Sequence, residues 1–393
     1  MSSAPSPAAV RVAHLITDLD VGGAERTLSN LVRHSDSSRV RHTVISMLPP
    51  GAMADDIRRA GCRVVSLNMA RGIASPRPLW QAARLLRAER PHILQTWLYH
   101  ADLLGILAGR LARVPAIVWN IRCSDMDFRC YPPSTARVVR WLRRLAAMPE
   151  AVVCNAEAGR TAHERLGFRP RRWDVIPNGF DIDAFRPSPE ARSTLRAELG
   201  VAPATVMIGM VARFDPMKDH ATFLRAAELL AFRHPGAHFV LAGRRVDPNN
   251  PAFAEFTRSI ALGGRVHLLG ERKDSARILA ALDIATLSSA FGEGCPNVLG
   301  EAMACGTPCV ATSVGDCASL IGPTGLVVPP RDPDALAAAW HDLLERPVAA
   351  RERLGLAARA RIAEHFSLNA VLERYLSLYE ELAGRGTRRV ERV

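Results

Sequence analysis

Apolar residues in this chain fall into short, nearly unbroken runs, and between the runs they recur every three or four positions. The runs predict strands at Arg11 to Ile16, Thr43 to Met47, Val64 to Leu67, Ile93 to Thr96, Ala116 to Trp119, Ala151 to Cys154 and Asp174 to Ile176. The second half repeats the rhythm at Val206 to Val211, His238 to Leu241, Val266 to Leu268, Ile284 to Leu287, Cys309 to Ala311 and Leu326 to Val328. Strands that read as continuous apolar runs are buried on both faces, and the helical stretches between them supply the cover. The pattern therefore predicts parallel sheets of the α/β class. Proline, glycine and aspartate cluster in IPNGFDIDAFRPSP and break the rhythm near Pro177 to Pro189. Two doubly wound, Rossmann-like domains follow, residues 10–180 and 181–365. Within 366–385, FSLNAVLERYLSLYEELAG spaces Phe366, Val371, Leu372, Tyr375, Leu378 and Tyr379 as one helix face. Residues 1–9 and 386–393 are expected as a disordered and a loose tail. Sheets of this kind bind ligands beyond the carboxyl ends of their strands, so the expected ligand site is a cleft between two facing domains.

Composition narrows the class. A chain of 393 residues exceeds one ordinary core, and 48% apolar with 23% charged residues fits a globular fold. No apolar run approaches the roughly 20 residues that cross a bilayer, and MSSAPSPAAV places no basic residue before the first strand, so a cytoplasmic chain is expected. The eight cysteines contain no C-x-x-C and predict neither zinc nor disulfides; most read as small core residues. The net charge of +12 rests on arginine, for Lys218 and Lys273 are the only lysines. A compact ammonium suits a phosphate as a point charge, so the placement of those two matters unless it is chance. Nucleic acid is a poor explanation of the charge, because aromatic and basic residues are not interleaved. In STARVVRWLRRLAAM, Ser134 to Met148, Arg137, Arg140 and Arg144 are expected on one face and Val138, Trp141, Leu142 and Leu145 on the other. Such a helix either packs on the core with a solvated basic face or lies on anionic lipid.

The most informative segment is FGEGCPNVLGEAMACGTPCVAT, Phe291 to Thr312, with Glu293 and Glu301 eight positions apart. Gly294 and Pro296 favour a tight turn, Asn297 can cap, and Val298, Leu299, Ala302 and Met303 make an apolar stripe, so a helix is expected from about Asn297. Its first N–H groups favour an anion such as a diphosphate above the turn. The alternative is a surface helix bearing two solvated glutamates.

The segment resembles the E-x7-E signature of the retaining glycosyltransferases of family 4, which have the GT-B fold. VGGAERTLSNLV resembles that family's glycine loop, VARFDPMKDHATFLRAA its phosphate-gripping strand and loop, VIPNGFDIDAFRP its interdomain crossing, and GLVVPPRDPDALAAAW the end of its donor domain. The resemblance implies a GT-B fold of two facing domains, acceptor side first and nucleotide-sugar side second, with the last helix returning to the first domain. It also implies transfer of a hexose-type sugar from a UDP- or GDP-sugar to a glycan or lipid-linked acceptor, in polysaccharide, lipopolysaccharide or glycolipid assembly at the inner membrane face.

By the same resemblance Arg213 and Lys218 clamp the diphosphate with the turn Gly294, Cys295, Pro296 and Asn297, where Cys295 is a spacer. Glu301 holds the ribose, Glu293 positions the donor sugar with its catalytic role open, and Arg272 and Lys273 contribute to the base pocket. Gly22 and Gly23 let backbone approach the diphosphate or acceptor; they do not form the G-x-G-x-x-G of a nicotinamide enzyme. Where many members place a histidine, this chain has Asn120, Ile121 and Arg122. A guanidinium in that slot cannot act as a base near neutral pH. His100 matches another recurrent position, and a lone histidine is as readily structural. Fixed cations and helix amides are expected to replace a metal, so no cofactor is implied. The rival readings are a nucleotide-sugar epimerase of similar fold and a catalytically silent, membrane-associated partner.

Overall fold

The computed structural model describes residues 9–20, 22–70, 76–126, 129, 132–258 and 260–390. The chain divides into two compact units, Met1–Gly179 with Asn369–Val393, and Phe180–Leu368.

The first unit runs β1 (Val10–Ile16), α1 (Gly23–His34), β2 (Val40–Ser46), α2 (Met53–Arg59), β3 (Arg63–Ser66), α3 (Arg77–Glu89), β4 (Ile93–Trp97), α4 (Tyr99–Ala112), β5 (Ala116–Ile121), α5 (Pro133–Leu145), β6 (Ala151–Cys154), α6 (Glu157–Arg165) and β7 (Trp173–Val175). Its sheet is wholly parallel, in the order β3-β2-β1-β4-β5-β6-β7. β4 and β5 are buried along their whole length, polar Gln95, Thr96 and Asn120 included. β2 starts three residues before its expected position because Val40 pairs with Val10 and is buried, although Arg41 and His42 interrupt the apolar run.

The second unit runs α7 (Pro189–Glu198), β8 (Met207–Val211), α8 (His220–Arg233), β9 (His238–Ala242), α9 (Pro251–Arg258), β10 (Val266–Leu268), α10 (Ser275–Ala281), β11 (Ile284–Leu287), α11 (Asn297–Ala304), β12 (Cys309–Thr312), α12 (Cys317–Ile321), β13 (Leu326–Val328), α13 (Pro333–Glu345) and α14 (Val348–His365). Its parallel sheet has the order β10-β9-β8-β11-β12-β13. A proline opens α7 and α13, where its missing N–H costs nothing, and Ser188 and Asp332 cap them. α11 is buried nearly all round rather than along one stripe, from Leu299 to Ala304 with Gly300 and Glu301 included. A side chain at Gly300 would overlap the ring of Phe180, so glycine lets the helix lie against the chain crossing. There Phe180 and Ser367 form a bridge, with Phe180 N–H donating to Phe366 and Leu368 N–H to Phe180.

α15 (Leu368–Val390) belongs to the first unit from Asn369 on. Tyr375 and Tyr379 are buried there; the Tyr379 hydroxyl donates to Gln95, and Arg39 bonds Glu373 and Glu380 at 2.9 Å. The helix runs to Val390, five residues beyond its expected end at 385, while the expected tails at 1–8 and 391–393 lie outside the described residues. α5 turns most of its expected apolar face inward, since Val138 and Leu145 pack against the core with Leu142, but Trp141 departs from it. Val139 and Leu142 are buried, whereas Trp141 is 56% exposed with the Arg144 guanidinium over its ring. Two residues advance a helix by about 200°, so Trp141 cannot share the face of Val139.

Candidate active site

In the second unit the strand order reverses at β8, with β9 on one side and β11 on the other. Crossovers from such neighbouring strands leave a crevice at their carboxyl ends. Arg213 and Lys218 follow β8, and Glu293 follows β11, so topology alone brings positions 75 residues apart together. Lys218 Nζ forms an ion pair with Glu293 Oε1, and the two side chains are only 12% and 6% exposed. Ser289 Oγ donates to the same oxygen at 2.6 Å.

The loop bearing Lys218 is held from several sides. Asp215 accepts the Met217 N–H at 2.9 Å, and Ala290 N–H donates to the Met217 carbonyl at 2.8 Å. Ser288 Oγ donates to the carbonyls of Lys218 and Asp219 at 3.0 and 3.1 Å. Asp219 takes the left-handed conformation with φ 49° and caps α8 through the Thr222 N–H. Arg213 Nε donates to Asp215 at 3.1 Å, and its side chain is 39% exposed. Each cation is thus paired with a carboxylate on its own loop or the neighbouring one.

The turn from Glu293 to α11 is fixed by Gly315, whose φ is +59° and where a side-chain carbon would overlap the Glu293 carbonyl. Asp316 N–H donates to the Gly294 carbonyl at 3.0 Å. Pro296 is the cap residue and Asn297 the first helical one, so Asn297 does not stand at the cap position expected of it. Proline has φ preset for a turn and no N–H to satisfy, so it takes the entry position. Every α-helix start directs its first N–H groups outward, and α11 begins four residues past Glu293. Cys295 is buried in the core beside Leu299, and Glu301 is 5% exposed one turn into the helix.

The two base-pocket candidates separate. Gly270 is tied to the β8 loop, because Gly243 N–H donates to its carbonyl at 2.7 Å and a side chain at Gly243 would overlap Ala212. The Arg272 guanidinium is instead spent in an ion-pair network with Asp274 and Glu198, both at 2.7 Å, which Arg277 completes. The network raises the Arg272 pKa, Asp274 being the first cause, and pulls Asp274 down to about 2. Lys273 is exposed.

In the first unit the order reverses at β1, and the same logic gathers the loops after β1, β4 and β5. Gly22 caps α1, but Glu25, buried in the first turn, lies where a Gly22 side chain would be. A carboxylate therefore already stands at the start of α1, in the place where the glycine loop is expected to admit phosphate. Arg122, first after β5, donates to Thr27 at 2.8 Å, to Asn178, and to the Tyr375 hydroxyl at 3.5 Å, with the Trp97 ring 5.5 Å away. His100 is half-buried in the first turn of α4, and burial lowers its pKa, favouring the neutral ring.

Sequence reasoning missed Ser289, Asp215, Gly243 and Gly315. The glycine directly after the SV of TSVGD was the readable hint for Gly315; Ser289 had none beyond its place after β11. Asp-x-Asp triplets do occur, and three of them serve local turns and caps: Asp18 accepts from Asp20 at 3.2 Å, Asp181 from Asp183 at 3.0 Å and Asp332 from Ala335 at 2.9 Å. The remaining one, starting at Asp125, runs into residues outside those described.

Comparison with known proteins adds independent weight. Residues 21–184 match the family described as Glycosyltransferase Family 4, and residues 205–346 match Glycosyl transferases group 1. D-inositol 3-phosphate glycosyltransferase of Rhodococcus erythropolis is 30% identical over 296 residues, covering 72% of this chain and 64% of that protein. UDP-Gal:alpha-D-GlcNAc-diphosphoundecaprenol alpha-1,3-galactosyltransferase of Escherichia coli is 29% identical over 258 residues, 64% of each chain. The match thus spans just under two thirds of both relatives. Anabaena HepE, solved with UDP and glucose, superimposes with a TM-score of 0.83 at 22% identity over 95% of this chain and 100% of that one.

Proposed function

From the premise that this chain belongs to the family 4, group 1 glycosyltransferases of GT-B fold, we propose that it transfers a hexose-type sugar from a nucleoside-diphosphate sugar to an acceptor hydroxyl with retention of anomeric configuration. The observation that carries this reading is the buried Lys218–Glu293 pair at the point where the strand order reverses, just ahead of the start of α11. An ammonium has three N–H donors, so Lys218 can keep Glu293 and still donate to a β-phosphate oxygen. Arg213 and the N–H groups of α11 supply further fixed donors, worth roughly 1.5–3 kcal/mol for each charge-assisted bond. Such groups stabilise the departing diphosphate without a divalent ion.

Glu293 takes two donors on one oxygen, which lowers its nucleophilicity and suits it to orient the sugar hydroxyls. Glu301, one turn into α11, is placed for the ribose hydroxyls. The anomeric C–O bond to the phosphate breaks, the acceptor oxygen bonds from the same face, and the acceptor proton passes to the phosphate oxygen that leaves. Arg122 cannot accept that proton, and its bonds to Thr27, Asn178 and Tyr375 make it a positioning residue.

UDP-sugar is the favoured donor, since HepE is solved with UDP-glucose and the galactosyltransferase relative is named for UDP-Gal. That relative's name, which carries a diphosphoundecaprenol-linked acceptor, supports a lipid-linked acceptor here and work in cell-surface glycan assembly at the membrane. Among the described residues no helix is long and apolar enough to cross a membrane. Contact is proposed through α5, whose exposed Trp141 stands among exposed Arg137, Arg140, Arg143 and Arg144. Tryptophan and basic side chains together suit the interface of an anionic bilayer.

Thermal shift with UDP and GDP, with and without magnesium, tests the donor site, because bound ligand raises stability by mass action. UDP is expected to raise Tm without magnesium, and Lys218→Ala and Glu301→Ala to diminish the shift. A rise that requires magnesium defeats the metal-free reading, and inversion at the anomeric carbon of the product, read by proton NMR, defeats retention.

A further inference from the structure

Six of the twelve histidines stand in pairs with ring nitrogens 2.8 Å apart: His14 with His42, His238 with His267, and His234 with His341. Among the described residues only the last pair has a third metal-binding side chain in reach, Glu345. The sequence gives no motif for this cluster, because His234 and His341 lie 107 positions apart. The fold assembles it. His234 ends α8, and His341 and Glu345 stand one turn apart on the last turns of α13, the helix packed beside α8.

The distances define a coordination site. His234 Nε2 and His341 Nδ1 are 2.8 Å apart, and Glu345 Oε1 is 3.9 Å from each. The point equidistant from these three atoms lies in their plane about 2.1 Å from each, the bond length of zinc to imidazole nitrogen and carboxylate oxygen, and a tetrahedral arrangement needs the two hydrogen-bonded nitrogens to part by roughly 0.5 Å. The side chains are 22%, 32% and 65% exposed, leaving the outer side open to water as a fourth ligand. The neighbouring cation does not compete for the carboxylate, since Arg346 pairs with Asp342 at 2.6 Å.

We propose that His234, His341 and Glu345 bind one zinc ion, two imidazoles and a carboxylate being a set that suits this borderline cation. Zinc takes the lone pair of each ring nitrogen, and the ring that donates in the pair carries its proton on its other nitrogen instead, so that both imidazoles bind neutral. The site is structural. It fastens the end of α8 to the end of α13, whereas Lys218 lies just before the other end of α8, about 21 Å away along a helix of 14 residues.

The full-length chain, purified without a histidine tag and stripped with EDTA, is titrated with zinc against a chromophoric chelator and with cobalt(II) by visible absorption. One zinc per chain with a raised Tm is expected, together with cobalt bands of a nitrogen- and oxygen-ligated ion. Since even outer partners of a metal site are worth roughly 10- to 100-fold in affinity, His341→Ala and Glu345→Gln are each expected to weaken zinc binding by about 100-fold or more. Glu345 is exposed, so its replacement spares the fold. His238→Ala is expected to leave zinc binding unchanged, and the UDP-induced Tm shift is expected to persist in all three variants. Absence of binding at micromolar zinc, or equal binding by either His341→Ala or Glu345→Gln, overturns the proposal.

Discussion

The two sheets reverse their strand order in the same way, yet the cations gathered at the reversal are held differently. In the first unit Arg122 is surrounded by neutral acceptors, Thr27, Asn178 and Tyr375, and by the Trp97 ring. In the second unit Lys218 is bound to the carboxylate of Glu293, and Arg213 to that of Asp215. Topology thus supplies the place but not the chemistry. A cation knitted into neutral groups joins elements of the scaffold, whereas a cation already paired can be offered to an incoming anion without standing bare in its absence.

The sharpest way to break this contrast is to remove each cation. Lys218→Ala is expected to lower kcat/KM by roughly 100- to 1000-fold, as loss of a fixed donor to a developing anion does, with Glu293 left buried without its ion pair. Arg122→Leu is expected to register instead in urea denaturation, at about 1–3 kcal/mol for the acceptors it abandons, with donor affinity retained. A donor-binding defect in Arg122→Leu larger than that of Lys218→Ala would reverse the assignment.

Acid provides a second comparison, because each unit buries a histidine. Burial holds His220 down at about 4, and burial together with neighbouring His42 holds His14 well below its ordinary value. Below about pH 6.5 the unfolded chain binds the proton that folded His220 refuses until about pH 4, so stability falls as pH drops through that window. The steepest slope is about 1.4 kcal/mol per pH unit for each histidine. Denaturation at pH 7, 6 and 5 checks it, and His220→Leu is expected to flatten the curve by one histidine's share.

Smaller effects sharpen the picture of the second unit. Gly315→Ala forces a side chain into a left-handed position against the Glu293 carbonyl and is expected to cost about 1–3 kcal/mol in stability, with a weaker UDP shift. Arg272→Ala is expected to change stability by about 1 kcal/mol or less and to leave the donor KM within about twofold, since its guanidinium serves a surface network. A large rise in KM would restore it to the nucleotide.

How much of this was legible depended on the distance over which residues act. All thirteen strands among the described residues were readable, because the strands of a sheet covered on both faces are mostly apolar along their own length. The places of Lys218 and Glu293 on loops, and of Glu301 one turn into α11, were readable from the spacing. The partners of Arg122 were not, for Thr27, Asn178 and Tyr375 are scattered along the chain and only the fold joins them. Arg272 was placed by its loop alone, and its direction was decided by Glu198, 74 residues away. Within α5 only Trp141 was misplaced, because both Trp141 and Leu142 are apolar and only one of two adjacent residues can point at the core.

The return of α15 has a consequence for how the polypeptide is born. The second unit is one continuous stretch, complete once residue 368 has emerged from the ribosome, whereas the first lacks Tyr375 and Tyr379 until the residues after 368 have followed. The order of maturation is therefore inverted relative to the order of synthesis: the later-made unit can close first, and the earlier-made sheet waits, with Gln95 and Asn120 unpartnered by their tyrosines, for the final helix to dock.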